Sequence, residues 1–398
     1  MKRPLSIKSQ SIAPSATLAL SALTKELQAN GEDIISFGIG EPDFNVDQVI
    51  KQAAIDAISS DFSHYTEVKG IYELREAIAE RLLSENGLKY SPDDIIATSG
   101  AKHALFTALQ TLVSEGDEVI VPLPYWVSYS EMIKLAGGVP VLAKTDFANS
   151  FLPDADIIRE LINDKTKAVI INDPVNPTGA VMDKKRLKGI VEVCVENGVY
   201  IISDEIYDKF LYDGAKHYSA AAFGKEASDI TITVNGFSKT YAMPGWRLGY
   251  AASSNKDIVK AMSGISGHCI SHPSSIVQKA GAAALRAEQG FVSKMVKEYD
   301  RRRQYMMTQL NKAENLRFVL PKGAFYMFVD ISAYSGDSSD FAMDMLKNGK
   351  VAVVPGSAFG LEGFIRLSYA CSFDDIVKGM NRFTSYLSNM HEQTNPDY

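Results

Sequence analysis

Lys239 and Arg247 stand eight residues apart in Asn235-Gly236-Phe237-Ser238-Lys239-Thr240-Tyr241-Ala242-Met243-Pro244-Gly245-Trp246-Arg247-Leu248-Gly249, directly after an apolar run at 230–234. A lysine just past a strand end can sit in a cleft where desolvation lowers its pKa. The neutral amine is then a nucleophile able to form a Schiff base with a carbonyl. An arginine nearby can hold an anion at fixed geometry. Taken alone, the stretch is equally a loop with two solvated cations.

Other polar residues follow other apolar runs. The run at 168–171 leads into Asn172-Asp173-Pro174-Val175-Asn176-Pro177-Thr178-Gly179, and the run at 199–203 into Asp204-Glu205-Ile206-Tyr207. The run at 118–121 precedes Pro124-Tyr125-Trp126, and the run at 95–98 precedes Ser99-Gly100-Ala101-Lys102. In open α/β sheets, ligands bind beyond the carboxyl ends of the strands. Amide, acid, phenol, indole and lysine delivered by several such ends read as one pocket. A pyridinium cofactor uses all of them. Asp204 can keep a ring nitrogen protonated, Asn176 and Tyr207 can hydrogen-bond a ring hydroxyl, and Trp126 offers a face to stack on. Gly100-Ala101-Lys102 at a helix start, with Arg247, can cradle a phosphate. Lys239 is then the Schiff-base lysine.

The elements that must position these groups are strand-length apolar runs at 95–98, 118–121, 139–143, 168–171, 199–203, 230–234 and 248–251, alternating with helix-length segments. Continuous Val/Ile runs spaced by helices predict an α/β fold: a large domain with a seven-stranded, mostly parallel sheet flanked by helices. Beyond about residue 254 the rhythm changes, with long helical segments at 275–309 (interrupted near Gly290) and 373–388 and short strands between them. This predicts a second, smaller α+β domain. Residues 1–16 read as an extended arm, the residues after Met390 as a loose tail, and Arg301-Arg302-Arg303 as a solvated helix face.

Bulk composition narrows the partners. The 398 residues are 46% hydrophobic and 22% charged, with a net charge of −7, which argues against nonspecific binding to nucleic acid or acidic membranes. Cys194, Cys269 and Cys371 form no CxxC pair and the six histidines no HExxH, so no metal site is expected. Neither a signal peptide nor a membrane-spanning run is apparent, and a cytoplasmic protein is expected.

On these residues the chain resembles the class I (fold type I) pyridoxal-phosphate-dependent aminotransferases over nearly its whole length. The stretch around Lys239 fits the family's lysine signature. Asn176-Pro177-Thr178-Gly179, Asp204-Glu205-Ile206-Tyr207 and Arg366-Leu367-Ser368-Tyr369 fit its other landmarks in order. Pro14-Ser15-Ala16-Thr17, Gly40-Glu41-Pro42-Asp43-Phe44, Tyr125-Trp126-Val127-Ser128-Tyr129 and Gly323-Ala324-Phe325-Tyr326 are similar to the bacterial aspartate aminotransferases of subgroup Ib. Val175 and Pro244 depart from the residues common in that subgroup without removing a catalytic group.

The resemblance implies an arm and part of the small domain at 1–45, a large cofactor-binding domain at 46–285 and a small domain at 286–398, so that the small domain is built from both chain ends. It implies pyridoxal 5′-phosphate as cofactor, held by Gly100, Ala101, Lys102, Trp126, Asn176, Asp204, Tyr207, Ser238, Lys239 and Arg247. Lys239 would be the catalytic proton carrier. A homodimer with shared active sites is implied, Tyr65 reaching the phosphate of the partner subunit. Arg366 would take the substrate α-carboxylate, with Gly40, Trp126 and Asn176 beside it. Lys102, Ser15 and Thr17 would read a distal carboxylate. The implied activity transfers an amino group from an L-amino acid, foremost aspartate, to 2-oxoglutarate in a ping-pong cycle. Aromatic, alanine or prephenate transamination and a β-lyase are the alternatives. A regulator with a degenerate fold would need an attached DNA-binding domain, for which the segment before residue 30 is too short.

Overall fold

A computed structural model of the protein describes residues 3–13 and 16–394. Among the described residues thirteen strands follow in chain order: β1 (Ile35–Ser36), β2 (Ile95–Thr98), β3 (Glu118–Pro122), β4 (Val139–Ala143), β5 (Thr166–Asn172), β6 (Tyr200–Asp204), β7 (Thr231–Gly236), β8 (Gly249–Ala252), β9 (Arg317–Phe318), β10 (Tyr326–Asp330), β11 (Val351–Ala352), β12 (Val354–Pro355) and β13 (Phe364–Ser368). All seven runs expected for the large sheet join one sheet, in the order β2-β8-β7-β6-β5-β3-β4. Only β8 runs against its neighbours. A smaller antiparallel sheet has the order β12-β13-β10-β9, and β1 pairs in parallel with β11.

The central strands are apolar throughout because both of their faces are covered. Along β6, Ile201 packs in one cluster with Leu187, Ile190 and Val191 of the helix Lys184–Asn197. Ile202 packs on the other face with Ala104, Leu105 and Ala108 of the helix Ala101–Leu112. Side chains alternate along a strand, so Asp204 continues the Ile202 face and Ser203 the Ile201 face. This parity sends Asp204 toward the helix whose N-terminus carries Gly100.

Three expectations need correction. The N-terminal arm is not extended throughout, since Ile7–Ser11 forms a short helix whose Ser6 cap accepts from the Ser9 amide at 3.2 Å. The last helix, Phe373–Thr394, runs past both 388 and Met390. Arg302 and Arg303 are not solvated: they are 5% and 0% exposed, on the inner side of the helix Gly290–Leu310. Arg303 reaches Asp213 with both terminal nitrogens at 2.8 Å, and Arg302 reaches Asp43 at 2.8 Å. Distant carboxylates bury these guanidinium groups, and a charge run in sequence carries no mark of them. Among the described residues, no helix is long and apolar enough to cross a membrane, and no His/Cys/Asp/Glu group could hold a metal.

Candidate active site

The chemistry-bearing residues meet at one edge of the large sheet. β5 and β6 end in register at Asn172 and Asp204, and β7 ends at Gly236, three residues before Lys239. The antiparallel β8 starts at this same edge, with Gly249 opposite both Thr98 and Gly236. A Cβ on Gly249 would lie 2.5 Å from the Ala101 amide nitrogen, so only glycine lets the strands and helix meet here. Arg247 is thereby set beside the first turn of Ala101–Leu112, whose leading amides have no acceptor within the helix. Its Nη1 donates to the Pro244 carbonyl at 2.7 Å and its Nη2 to the Ser99 carbonyl at 3.3 Å. Gly100 caps that helix with φ +87°, and a Cβ there would lie 2.5 Å from Arg247 Nη2. A fixed guanidinium over free helix amides makes an anion cradle.

A cavity of about 660 Å³ opens over this edge, and its wall includes Ala101, Lys102, Trp126, Asn176, Asp204, Tyr207, Ser238, Lys239 and Arg247. Gly40 and Arg366 close the side toward the small sheet. The Lys239 ammonium donates to the Gly40 carbonyl. Burial, aided by Arg366 and Arg247 and opposed by Glu41 and Asp204, lowers its pKa to about 8. Asp204 moves the other way: burial raises it to about 6, while the Tyr129 hydroxyl, the Ile206 amide and Lys239 restrain the rise. Tyr129 donates to Asp204 Oδ2 at 2.6 Å.

Arg366 is 4% exposed. Its Nη1 donates to Asn176 Oδ1 and its Nη2 to the Gly38 carbonyl, both at 3.1 Å. The guanidinium lies 4.3 Å from the Tyr326 ring centre, because Tyr326 and Arg366 are diagonal neighbours on one face of the β10–β13 ladder. Its Nε is buried without a hydrogen-bond partner. Burial lowers its pKa, and no carboxylate pairs with it among the described residues. Lys102 holds its ammonium 4.8 Å from the centre of the Trp126 ring, its pKa lowered by burial and by Arg247. Five cations, Lys25, Lys102, Lys239, Arg247 and Arg366, against Asp204 and Glu41 make the cavity a receptor for anions.

A family model described as aminotransferase class I and II matches residues 32–383. The chain is 42% identical over 395 residues to a probable aspartate/prephenate aminotransferase of Aquifex aeolicus, covering 98% of this chain and 100% of that one. It is 42% identical over 392 residues to an aspartate aminotransferase of Bacillus sp., covering 97% and 100%. An aspartate aminotransferase structure from Thermus thermophilus with maleate matches with a TM-score of 0.93 at 41% identity, covering 96% of this chain and 100% of that one. This chain belongs to the class I and II aminotransferases.

The aminotransferase has the fold type I architecture and depends on pyridoxal 5′-phosphate. Its cavity fits that cofactor: the Gly100/Gly249 cradle would be filled by any Cβ, and an acid and an amine with opposed pKa shifts share the wall. Not every expected residue is in the cavity. Tyr65 is 90% exposed, with its ring 5.7 Å from that of His272. Ser15 lies outside the described residues, and Thr17 enters only as part of the helix Ala16–Ala29. That helix brings Ser21 and Lys25 to the cavity wall, which sequence reasoning missed. It also missed Tyr129 and Tyr326 as site residues. For Tyr129 a signal existed: it falls three residues after Trp126, in the first turn of the helix Ser128–Ala136.

Proposed function

We propose that this aminotransferase moves the amino group of L-aspartate to 2-oxoglutarate, donor and acceptor occupying the cavity in turn. The observation that carries the reading is the pair of cations at Arg366 and Lys102 in one cavity, Arg366 being buried with Nε unpaired. Two separate positive groups suit a dicarboxylic substrate. The names of the relatives, and the dicarboxylate maleate in the Thermus structure, support it.

When bound, pyridoxal 5′-phosphate supplies an electron-poor ring that disperses negative charge from the substrate α-carbon. Asp204 would hold the ring nitrogen protonated, Asn176 and Tyr207 the ring hydroxyl, and Trp126 the ring face. The Gly100, Ala101 and Lys102 backbone, Ser238 and Arg247 would bind the phosphate. Lys239 Nζ would take the α-proton as base and, as acid, deliver it to the C4′ carbon of the cofactor and not back to the α-carbon. The Arg366 fork and the Gly40 backbone orient the α-carboxylate, fixing which bond to the α-carbon is broken. Lys102, with Ser15 and Thr17, reads the distal carboxylate. Closure of a small domain (1–45 with 286–398) on a large one (46–285) would exclude water from these groups.

The exposed Tyr65 fits a homodimer in which each tyrosine reaches the phosphate of the other subunit. Three unpaired cysteines fit a cytoplasmic setting. A panel of amino donors against 2-oxoglutarate tests the activity. Aspartate should exceed alanine and phenylalanine in kcat/KM by about tenfold or more, roughly the ~1.4 kcal/mol of one ionic contact. Comparable turnover of phenylalanine would assign the aromatic reaction instead, and pyruvate released from a cysteine conjugate without any oxo acid would assign a β-lyase.

A further inference from the structure

Behind the Asp204 edge, His217 lies between two carboxylates. Its Nδ1 is 3.2 Å from Asp173 Oδ2 and its Nε2 is 3.1 Å from Glu205 Oε2. The side chains of His217, Asp173 and Glu205 are 6%, 4% and 1% exposed. With a carboxylate on each ring nitrogen, the imidazole donates from both and is therefore the cation. Burial alone would lower its pKa, but Glu205 and Asp173 outweigh burial and push it up to about 10. Neutral donors supplement the pairing. Glu205 Oε1 accepts from the Ser203 and Ser219 hydroxyls at 2.9 and 2.6 Å, and Asp173 Oδ1 accepts from the Met182 amide at 2.7 Å. Among the described residues, His217 is the only cation paired with either carboxylate.

Both carboxylates adjoin the active-site wall through the chain. Glu205 follows Asp204, on the opposite face of the β6 line. Asp173 follows Asn172, whose Nδ2 donates to the Asp204 carbonyl at 3.0 Å and whose Oδ1 accepts from the Asn176 amide at 2.9 Å. The triad thus clamps the two segments that carry Asp204 and Asn176. Uncompensated negative charge this close would drive a proton onto Asp204, since like charges disfavour the ionised form. Glu205 already acts on Asp204 in that direction.

We propose that His217 is a positioning residue of the transamination: as a buried cation it neutralises Asp173 and Glu205, and so keeps Asp204 ionised and aligned for the ring nitrogen of the cofactor. The inference rests on the assignment of Asp204 to that nitrogen.

Equilibrium binding to cofactor-free protein tests both separately. The probes are pyridoxal 5′-phosphate and its 1-deaza analogue, in which carbon replaces the ring nitrogen. The readout is quenching of protein fluorescence. His217→Gln should weaken binding of pyridoxal 5′-phosphate about tenfold, the equivalent of a one-unit pKa change at Asp204, and leave the analogue unchanged. The double variant H217Q/E205Q should recover most of the loss. Equal weakening of both probes, or no weakening of either, would overturn the role of His217. Asp204→Asn separates the premise: it should abolish the preference for pyridoxal 5′-phosphate over the analogue, and if the preference survives, the Asp204 assignment itself fails. Should H217Q not fold, E205Q carries the test. With one carboxylate fewer beside Asp204, the preference should hold or strengthen, and its selective loss would overturn the proposal.

Discussion

The Tyr129 hydroxyl donates to Asp204 Oδ2 at 2.6 Å, with both side chains buried. Tyr129 comes from the helix after β3 and Asp204 from the last position of β6. The bond favours the carboxylate over the acid at a site where burial raises Asp204 to about 6. Tyr129→Phe removes the donor and leaves the ring. A hydrogen bond to a charged group is worth about 1.5–3 kcal/mol, so the Asp204 pKa should climb further and the dissociation constant of pyridoxal 5′-phosphate should rise about tenfold or more. Titration of the cofactor-free variant measures this, and an unchanged constant would show that Tyr129 does not support Asp204.

Lys239 should be the most reactive lysine of the cofactor-free protein near neutral pH. Its pKa is depressed from 10.5 to about 8, so the ammonium dominates below pH 8 and the amine above it. The rate at which a small amine-directed reagent labels Lys239, followed by peptide mass spectrometry, should rise with a midpoint near 8. A midpoint near 10 would contradict the burial argument. Asp204→Asn should move the midpoint lower, since Asp204 favours the ammonium. The same shift has a stability sign. Between pH 8 and 10.5 the unfolded chain binds the extra proton, so this group's contribution to stability improves as pH rises through that window.

Gly100→Ala should damage the anion cradle specifically. The new Cβ meets Arg247 Nη2 at 2.5 Å, and φ at this position is +87°. A non-glycine residue held in such a conformation costs on the order of 1–3 kcal/mol, and Arg247 has to move as well. Cofactor affinity should fall about tenfold, with a lower melting temperature. Gly87→Ala is the control: φ is +69° but a Cβ would meet nothing within 4 Å. It should destabilise the fold and leave the affinity unchanged. Equal affinity losses in the two variants would mean that the cradle reading is wrong.

Arg366 and Lys102 should divide substrate recognition between them. Arg366→Lys keeps a charge but loses the fork, and should raise KM for every amino acid, because truncating a buried charge contact costs about 2–5 kcal/mol. Lys102→Ala should lower kcat/KM for aspartate about tenfold more than for alanine, in line with one charged contact of ~1.4 kcal/mol. Steady-state kinetics on both donors decides. Proportionate loss on aspartate and alanine in the Lys102 variant would restrict that residue to the phosphate.

Local patterning determined the sheet, because buried parallel strands must be apolar on both faces. The seven runs could therefore be read directly, and with them the residues that follow each strand: Asn176, Asp204, Lys239 and the Gly100 turn. Side-chain type and position after a strand are enough to nominate such groups. They do not say which way β8 runs, and it is the antiparallel β8 that lays Gly249 against Ala101 and sets Arg247 beside the first turn of the helix Ala101–Leu112. The burial of Arg302 and Arg303, the seat of Arg366 against Tyr326, the bond from Tyr129 to Asp204 and the clasp of His217 all join residues far apart in the chain, from 12 residues for His217 and Glu205 to 259 for Arg302 and Asp43. Such pairs leave no periodic trace in the chain, because a charge is buried or exposed according to what the folded backbone brings opposite it. The stretch around Lys239 announced a nucleophile, and the tertiary structure set its pKa and gave it neighbours.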